Sequence, residues 1–163
     1  MDALNDKITD AIDALEVAYE RITIDPAYAD TALFCEHYGY PMENSGNTII
    51  VASKKTPKQY AACVVLATTQ LDVNRRVRKL MGVSRASFAT AEEMMEMTGM
   101  QVGGVTPFAL PDTLPLDVDE RSMSLDWVIL GGGGRDTKIK VAPDVFTKLG
   151  AEVIADLAIE RLT

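Results

Sequence analysis

Between Met100 and Pro115 the chain carries Gly103, Gly104, Pro107, Pro111 and Pro115, too many breakers for any helix or strand. A loop of that length inside a compact domain is uncommon and is usually functional. The rest of the fold must therefore be assembled from short elements on either side of it. From Leu4 through Ile8, Ile12, Leu15, Tyr19 and Ile22 apolar residues step by three or four, which predicts one amphipathic helix. Asp25-Pro26 ends it, and Asp30 caps a second helix, Thr31 to Tyr38, closed by Gly39. The β-branched runs Thr48 to Ala52 and Tyr60 to Leu66, with Thr56-Pro57 between them, predict a buried hairpin. Asp72 is expected to cap a helix through Met81, with Val73, Val77 and Leu80 inward and its cations in solvent.

A strand at Ala86 to Ala89 leads into Thr90-Ala91-Glu92-Glu93, a capping-box signature, for a helix ending at Gly99. Trp127 to Leu130 and Thr137 to Val141 read as strands around Gly131 to Gly134, and the second alternates as a half-buried strand should. A helix from Pro143 to Gly150 and a last one from Val153 to Arg161 complete the predicted elements. The 163 residues are read as a single domain of mixed α/β (α+β) class, with residues 1–28 an N-terminal helix and connection and 30–157 the core.

Net charge is −8, which argues against a DNA-coating or basic groove-reading protein. No apolar run approaches a membrane span, and the acidic first twenty residues lack the features of an export signal. With Cys35 and Cys63 alone, a reducing cytoplasm with both thiols free and buried is the expectation.

Catalytic patterns are few. Gly131 to Gly134 lacks the Gly-Lys-Ser/Thr ending of a nucleotide loop and precedes a strand, so it reads as a tight turn. His37 is the only histidine, and Cys35 two residues away does not share its helix face, so no metal site is expected. The same lone histidine makes a Ser-His-Asp or Cys-His machine implausible. What remains is the loop from Thr98 to Phe108, whose glycines would let backbone N–H groups approach a ligand while Pro107 stiffens its exit.

That loop and its surroundings resemble the YbaK and prolyl-tRNA synthetase-associated domain family, editing domains that hydrolyse mischarged aminoacyl-tRNA. The resemblance spans about Asp30 to Leu157 and rests on an ordered set: Thr98-Gly99, the Gly-x-x-x-Pro of Gly103 and Pro107, Asp119 after a short strand, Gly131 to Gly134, and Lys138-Ile139-Lys140. It implies a curved, largely antiparallel sheet with surrounding helices. It further implies an aminoacyl-tRNA deacylase, a hydrolase acting in trans without a cofactor, whose partners are the tRNA 3' end and an aminoacyl-tRNA synthetase. A second pocket that sorts by size supplies discrimination where a single methylene contributes only about 1–3 kcal/mol.

By that resemblance the catalytic positions are Gly103, Gly104, Asn47 and Asp119. Thr48, Thr98, Gly99, Val105, Thr106, Pro107, Gly132 and Gly133 would line the substrate site. Main-chain amides at Gly103 would hold the carbonyl or the attacking water. Family members with demonstrated editing carry a lysine where this chain has Asn47, which can hydrogen-bond but supplies no charge. Lys54 is no substitute, since it lies about 23 Å further along an extended strand and on the opposite face. Lys138 or Lys140 reaches in only if that strand borders the pocket. Candidate RNA contacts are Lys54, Lys55 and Lys58, Arg75 with Lys79, and Arg135, each equally readable as a solvated basic face. The alternative function is a binding module that keeps the pocket for an aminoacyl-tRNA end or small ligand without hydrolysis.

Overall fold

The computed structural model describes residues 2–161. Its helices are α1 (Asp2–Ala14), α2 (Thr31–Tyr38), α3 (Arg78–Met81), α4 (Ala91–Thr98) and α5 (Asp144–Lys148). Its strands are β1 (Tyr19–Thr23), β2 (Gly46–Ser53), β3 (Tyr60–Leu66), β4 (Thr69–Leu71), β5 (Ala86–Phe88), β6 (Leu116–Asp119), β7 (Val128–Gly132), β8 (Gly134–Val141), β9 (Glu152–Ile154) and β10 (Ala158–Glu160). The central sheet runs β5-β2-β3-β6-β9. The β2–β3 hairpin and β5 pair antiparallel, whereas β3–β6 and β6–β9 are parallel. A second antiparallel sheet, β1-β8-β7, lies against one face, and β4 pairs with β10 in a small third sheet. Pairing is thus largely antiparallel in a mixed α/β fold, as the family resemblance implies.

Both faces of the central sheet are buried, which is why β2 and β3 read as continuous apolar runs instead of alternating ones. Ile50, Ala62 and Val64 meet Val128, Leu130 and Ile139 of the second sheet, together with Ile8, Ile12, Phe108 and Phe146. Val51, Cys63 and Val65 pack on the other side against Leu71, Val77 and Leu157. The Thr90–Glu93 capping box forms in full. Glu93 also accepts from the Tyr60 hydroxyl at 2.7 Å and pairs with Lys58 at 3.0 Å, which ties α4 to β3.

Three predicted elements differ. The first helix stops at Ala14; Glu16 takes a left-handed conformation (φ 57), and Tyr19 and Ile22 belong to a strand paired with β8. Residues 73–77 form a wide turn in which the Val77 N–H reaches back to Asp72 O, and Leu80 at the end of α3 is exposed. The C-terminal helix is absent: Val153 and Ile154 extend the central sheet, Asp156 turns the chain with φ 57, and Ala158 to Glu160 pair with β4. In the first and last of these a long-range pairing overrides a local pattern.

Asp117 on β6 is buried beside Cys63 and in register with Glu152. Burial first, and then the Glu152 carboxylate, raise its pKa to about 6 from 3.8. The folded chain therefore binds a proton between those pH values that the unfolded chain does not, so stability falls as pH rises through the interval. Asp117→Asn is expected to stabilise the protein by ~1–2 kcal/mol at neutral pH and to be without effect below about pH 4, measured by urea denaturation at both.

Candidate functional site

A cavity of about 310 Å³ opens between β2, α2, the start of α4 and the glycine bend of the long loop. Asn47, Thr48 and Ile50 line it from β2, Phe34 from α2, Met94 from α4, Gly103 and Val105 from the bend, and Gly131 and Lys138 from the second sheet. The strand it borders is only half paired. β2 bonds β3 from Gly46 to Ala52 but meets β5 only at Val51 to Ser53. The Ala67 N–H donates to Ser45 O on one side and the Ala89 N–H to Ile50 O on the other. Antiparallel alternation then turns the main-chain groups of Thr48 toward the open edge. The Thr48 hydroxyl is buried and has no hydrogen-bond partner among the described residues.

The glycines divide into two roles. Gly103 needs its φ of +88, lines the cavity, and has an N–H without a partner among the described residues. Gly104 is already committed: its N–H donates to Gln101 O at 2.9 Å and its carbonyl accepts from the Gly133 N–H at 2.6 Å. The Gln101 N–H donates in turn to Gly133 O. A Cβ at Gly104 would run into the Gly133–Gly134 main chain, and one at Gly131 into that of Gly104 and Val105. The bend is docked on the β7–β8 turn backbone to backbone, which only glycine permits.

Several expected site residues serve that docking and lie outside the cavity lining. Thr98 Oγ1 donates to Met94 O and accepts from the Met100 N–H, and Gly99 closes α4 at φ 73. Thr106 and Pro107 are buried beyond the bend, Gly132 packs on Thr137, and Gly133 packs on Ile8. Asp119 is likewise elsewhere. Its carboxylate accepts from the Arg121 and Ala158 N–H groups and pairs with the Arg121 guanidinium at 3.1 Å, so it caps a turn and ties β10 to β6. Arg135 is a clamp over the bend, donating to Val102 O at 2.7 Å and to Pro26 O at 3.2 Å. Lys54, Lys55, Arg75 and Lys79 are exposed outside the cavity.

Lys138 is the residue that strand alternation places in solvent and the fold buries. It is 6% exposed because α2 and the bend cover that face of β8. Its Nζ donates to Ala29 O at 2.6 Å and Gly103 O at 3.1 Å, and lies 5.5 Å from the Phe34 ring centre. An ammonium has three hydrogens, so one remains for the cavity. Burial lowers its pKa to about 8, against the pull of Asp30 and Cys35 and helped by Arg135. The sign is that of a depressed lysine: stability is least while the ammonium is charged and rises as pH climbs from about 8 toward 10.5. Asn47 Oδ1 accepts from Thr31 Oγ1 at 2.7 Å, which turns its amide into a donor for the cavity.

His37 stacks on Tyr28 at 3.7 Å, and Cys35 Sγ sits 3.3 Å from Ser45 Oγ. Both cysteines are buried free thiols. No His, Cys, Asp or Glu cluster with metal-holding geometry occurs among the described residues, and no helix there is long and apolar enough to cross a membrane.

A partly open, apolar-walled hollow edged by main-chain and side-chain donors is the candidate ligand site of this α/β domain. The chain belongs to the aminoacyl-tRNA editing domain family, whose sequence pattern it matches over residues 25–149. Its fold is similar to that of the hypothetical protein APE2540, with a TM-score of 0.83 at 27% identity over 93% of this chain and 99% of that one. A protein described as a candidate trans-editing enzyme for prolyl tRNA synthetase shares the fold with a TM-score of 0.81 at 20% identity, over 97% and 98% of the two chains. Membership places the chain among the domains of aminoacyl-tRNA editing.

Proposed function

We propose that this chain hydrolyses the ester of mischarged aminoacyl-tRNA in trans. The observation that supports it is the convergence of the free Gly103 N–H, the unpaired edge of Thr48, the Asn47 amide and the Lys138 ammonium on one cavity. Water attacks the ester carbonyl, the new C–O bond forms, and the carbonyl oxygen becomes an oxyanion facing those donors. Collapse breaks the bond to the ribose oxygen, which takes the proton that the attacking water gives up and leaves as the tRNA hydroxyl. The vicinal ribose hydroxyl helps to position the water. Donors fixed in advance act where charge develops, and one such donor contributes about 2.7–4 kcal/mol to the barrier. Phe34, Ile50, Met94 and Leu130 form the apolar wall for the amino-acid side chain.

A panel of tRNAs mischarged with small amino acids is expected to show turnover of at least one. Gly103→Val is expected to abolish it, because the side chain meets both the left-handed φ and the Arg135 guanidinium. A panel left untouched by wild-type protein would overturn the reading. A second reading, favoured by Asn47, is a binding module that holds an aminoacyl-adenosine end without hydrolysis. Affinity for a non-hydrolysable aminoacyl-adenosine with no turnover, in wild type and in Asn47→Lys alike, is its signature.

A further inference from the structure

A second hollow of about 310 Å³ lies beyond the mouth of the first, lined by Gln70, Asp72, Asn74 and Ser87 over a floor that includes Leu71 and Val73. Phe88 lines both cavities and is 60% exposed, at the end of the edge strand β5. Exposed Val102 lines the first cavity and exposed Ile159 the second, so the ring stands among other exposed apolar side chains, and a grouping of that kind marks an interaction site. The hollow itself offers amides and a hydroxyl, groups that can donate or accept along the edge of a planar ring. Asp72 is partly occupied, since it accepts from the Arg75 N–H at 3.3 Å.

The charge around this hollow departs from that of the chain. The protein has 24 acidic residues against 16 basic ones, yet residues 73–91 contain Arg75, Arg76, Arg78, Lys79 and Arg85 and no acid. Arg76 and Arg78 are spent on the carbonyls of Ala155 and Asn74. Arg75, Lys79 and Arg85 are exposed with no side-chain partner among the described residues. The Lys54 N–H donates to Arg85 O, which brings the exposed Lys54 and Lys55 to the far end of the same stretch. A sequence-tolerant site for a single strand combines these parts: an aromatic face for a base and cations that follow the phosphates.

We infer that the Phe88 ridge and the hollow behind it form a nucleotide subsite for an unpaired RNA 3' end, the base before the terminal adenosine stacking on Phe88 with its edge toward Asn74, Gln70 and Ser87. Arg75, Lys79 and Arg85 meet the phosphates. The inference rests on the deacylase reading only in assigning the terminal nucleotide to the first cavity.

The test is fluorescence anisotropy with a labelled single-stranded RNA ending in ACCA-3', paired with deacylation of the mischarged tRNA panel. Wild type is expected to bind with an affinity that falls as salt rises, and Phe88→Ser to weaken binding about tenfold or more. Arg75→Ala and Arg85→Ala are each expected to lower the salt slope by about 0.7, the value for one phosphate contact on a single strand. Phe88 is exposed, so the variant keeps its fold, checked by thermal melting; Asn74→Ala is a second, milder probe. Failure of wild type to bind the RNA, or equal binding by Phe88→Ser, overturns the subsite, the latter assigning the ring to some other occupant. The two readings fail separately. RNA binding lost in Phe88→Ser without any deacylation by wild type removes the enzyme and keeps the subsite. Deacylation with the same kcat/KM for charged tRNA in Phe88→Ser does the reverse.

Discussion

Alanine at Gly104 is expected to destabilise the protein by about 3 kcal/mol or more, at the upper end of what overpacking costs. The added carbon has nowhere to go. It would lie 2.8 Å from Gly133 O and closer still to Gly134, both main-chain neighbours that cannot swing aside as a side chain does. Moving them breaks the bond from the Gly133 N–H to Gly104 O, and with it the seating of the Gly103 bend. Gly131→Ala would meet the main chain of Gly104 and Val105 in the same seam and is expected to behave alike. Gly99 provides the comparison: it is left-handed but open, with nothing within 4 Å, and alanine there costs only about 1–2 kcal/mol. The urea midpoints of the three variants check the order, and a Gly104→Ala midpoint no lower than that of Gly99→Ala would contradict it.

Lys138→Met is expected to lower deacylation roughly 100-fold, the loss that follows removal of one transition-state donor. Its effect on folding should be far smaller. The variant leaves Ala29 O and Gly103 O without the ammonium, at about 1–3 kcal/mol for each buried carbonyl, but it also relieves the cost of burying a charge. The separating measurement is pH. Burial holds the lysine near 8, so the ammonium is present below that value and lost above it. The ratio of wild-type to variant kcat/KM should therefore be constant below about pH 7 and shrink as pH passes 8. Asp30, Cys35 and Arg135 are the charged or titratable neighbours that set this midpoint. A ratio unchanged through that range would mean that Lys138 only braces the bend.

Much of the architecture was legible in the chain because it is encoded locally. The Thr90–Glu93 box, the Gly39, Gly82 and Gly99 stops and the β2–β3 hairpin depend on residues close in sequence. Elements fixed by distant partners were not. Tyr19 and Ile22 keep the spacing of a helix, and no glycine or proline marks the break at Glu16; only pairing with β8 makes them strand. Val153, Ile154, Leu157 and Ala158 mimic a helical stripe while serving two sheets.

The candidate site was legible in the same uneven way. Asn47, Thr48, Gly103 and Val105 line one cavity. Gly104 and Asp119 could not be told from ligand-binding residues without knowing that their polar groups were already bonded. Lys138 carries the opposite lesson: alternation assigns it to water, and the cover supplied by α2 and the bend is a fact of tertiary structure.

The pairing of β1 with β8 has a bearing on how copies of this chain behave toward one another. Along Tyr19 to Thr23 it occupies the outer rim of an eight-residue strand that would otherwise offer a ladder of open amides and carbonyls. The open edge passes to β1 itself, which is only five residues long and carries exposed Glu20 and Arg21, so the stretch ahead of the editing region trades a long rim for a short charged one that disfavours strand-by-strand growth into fibres.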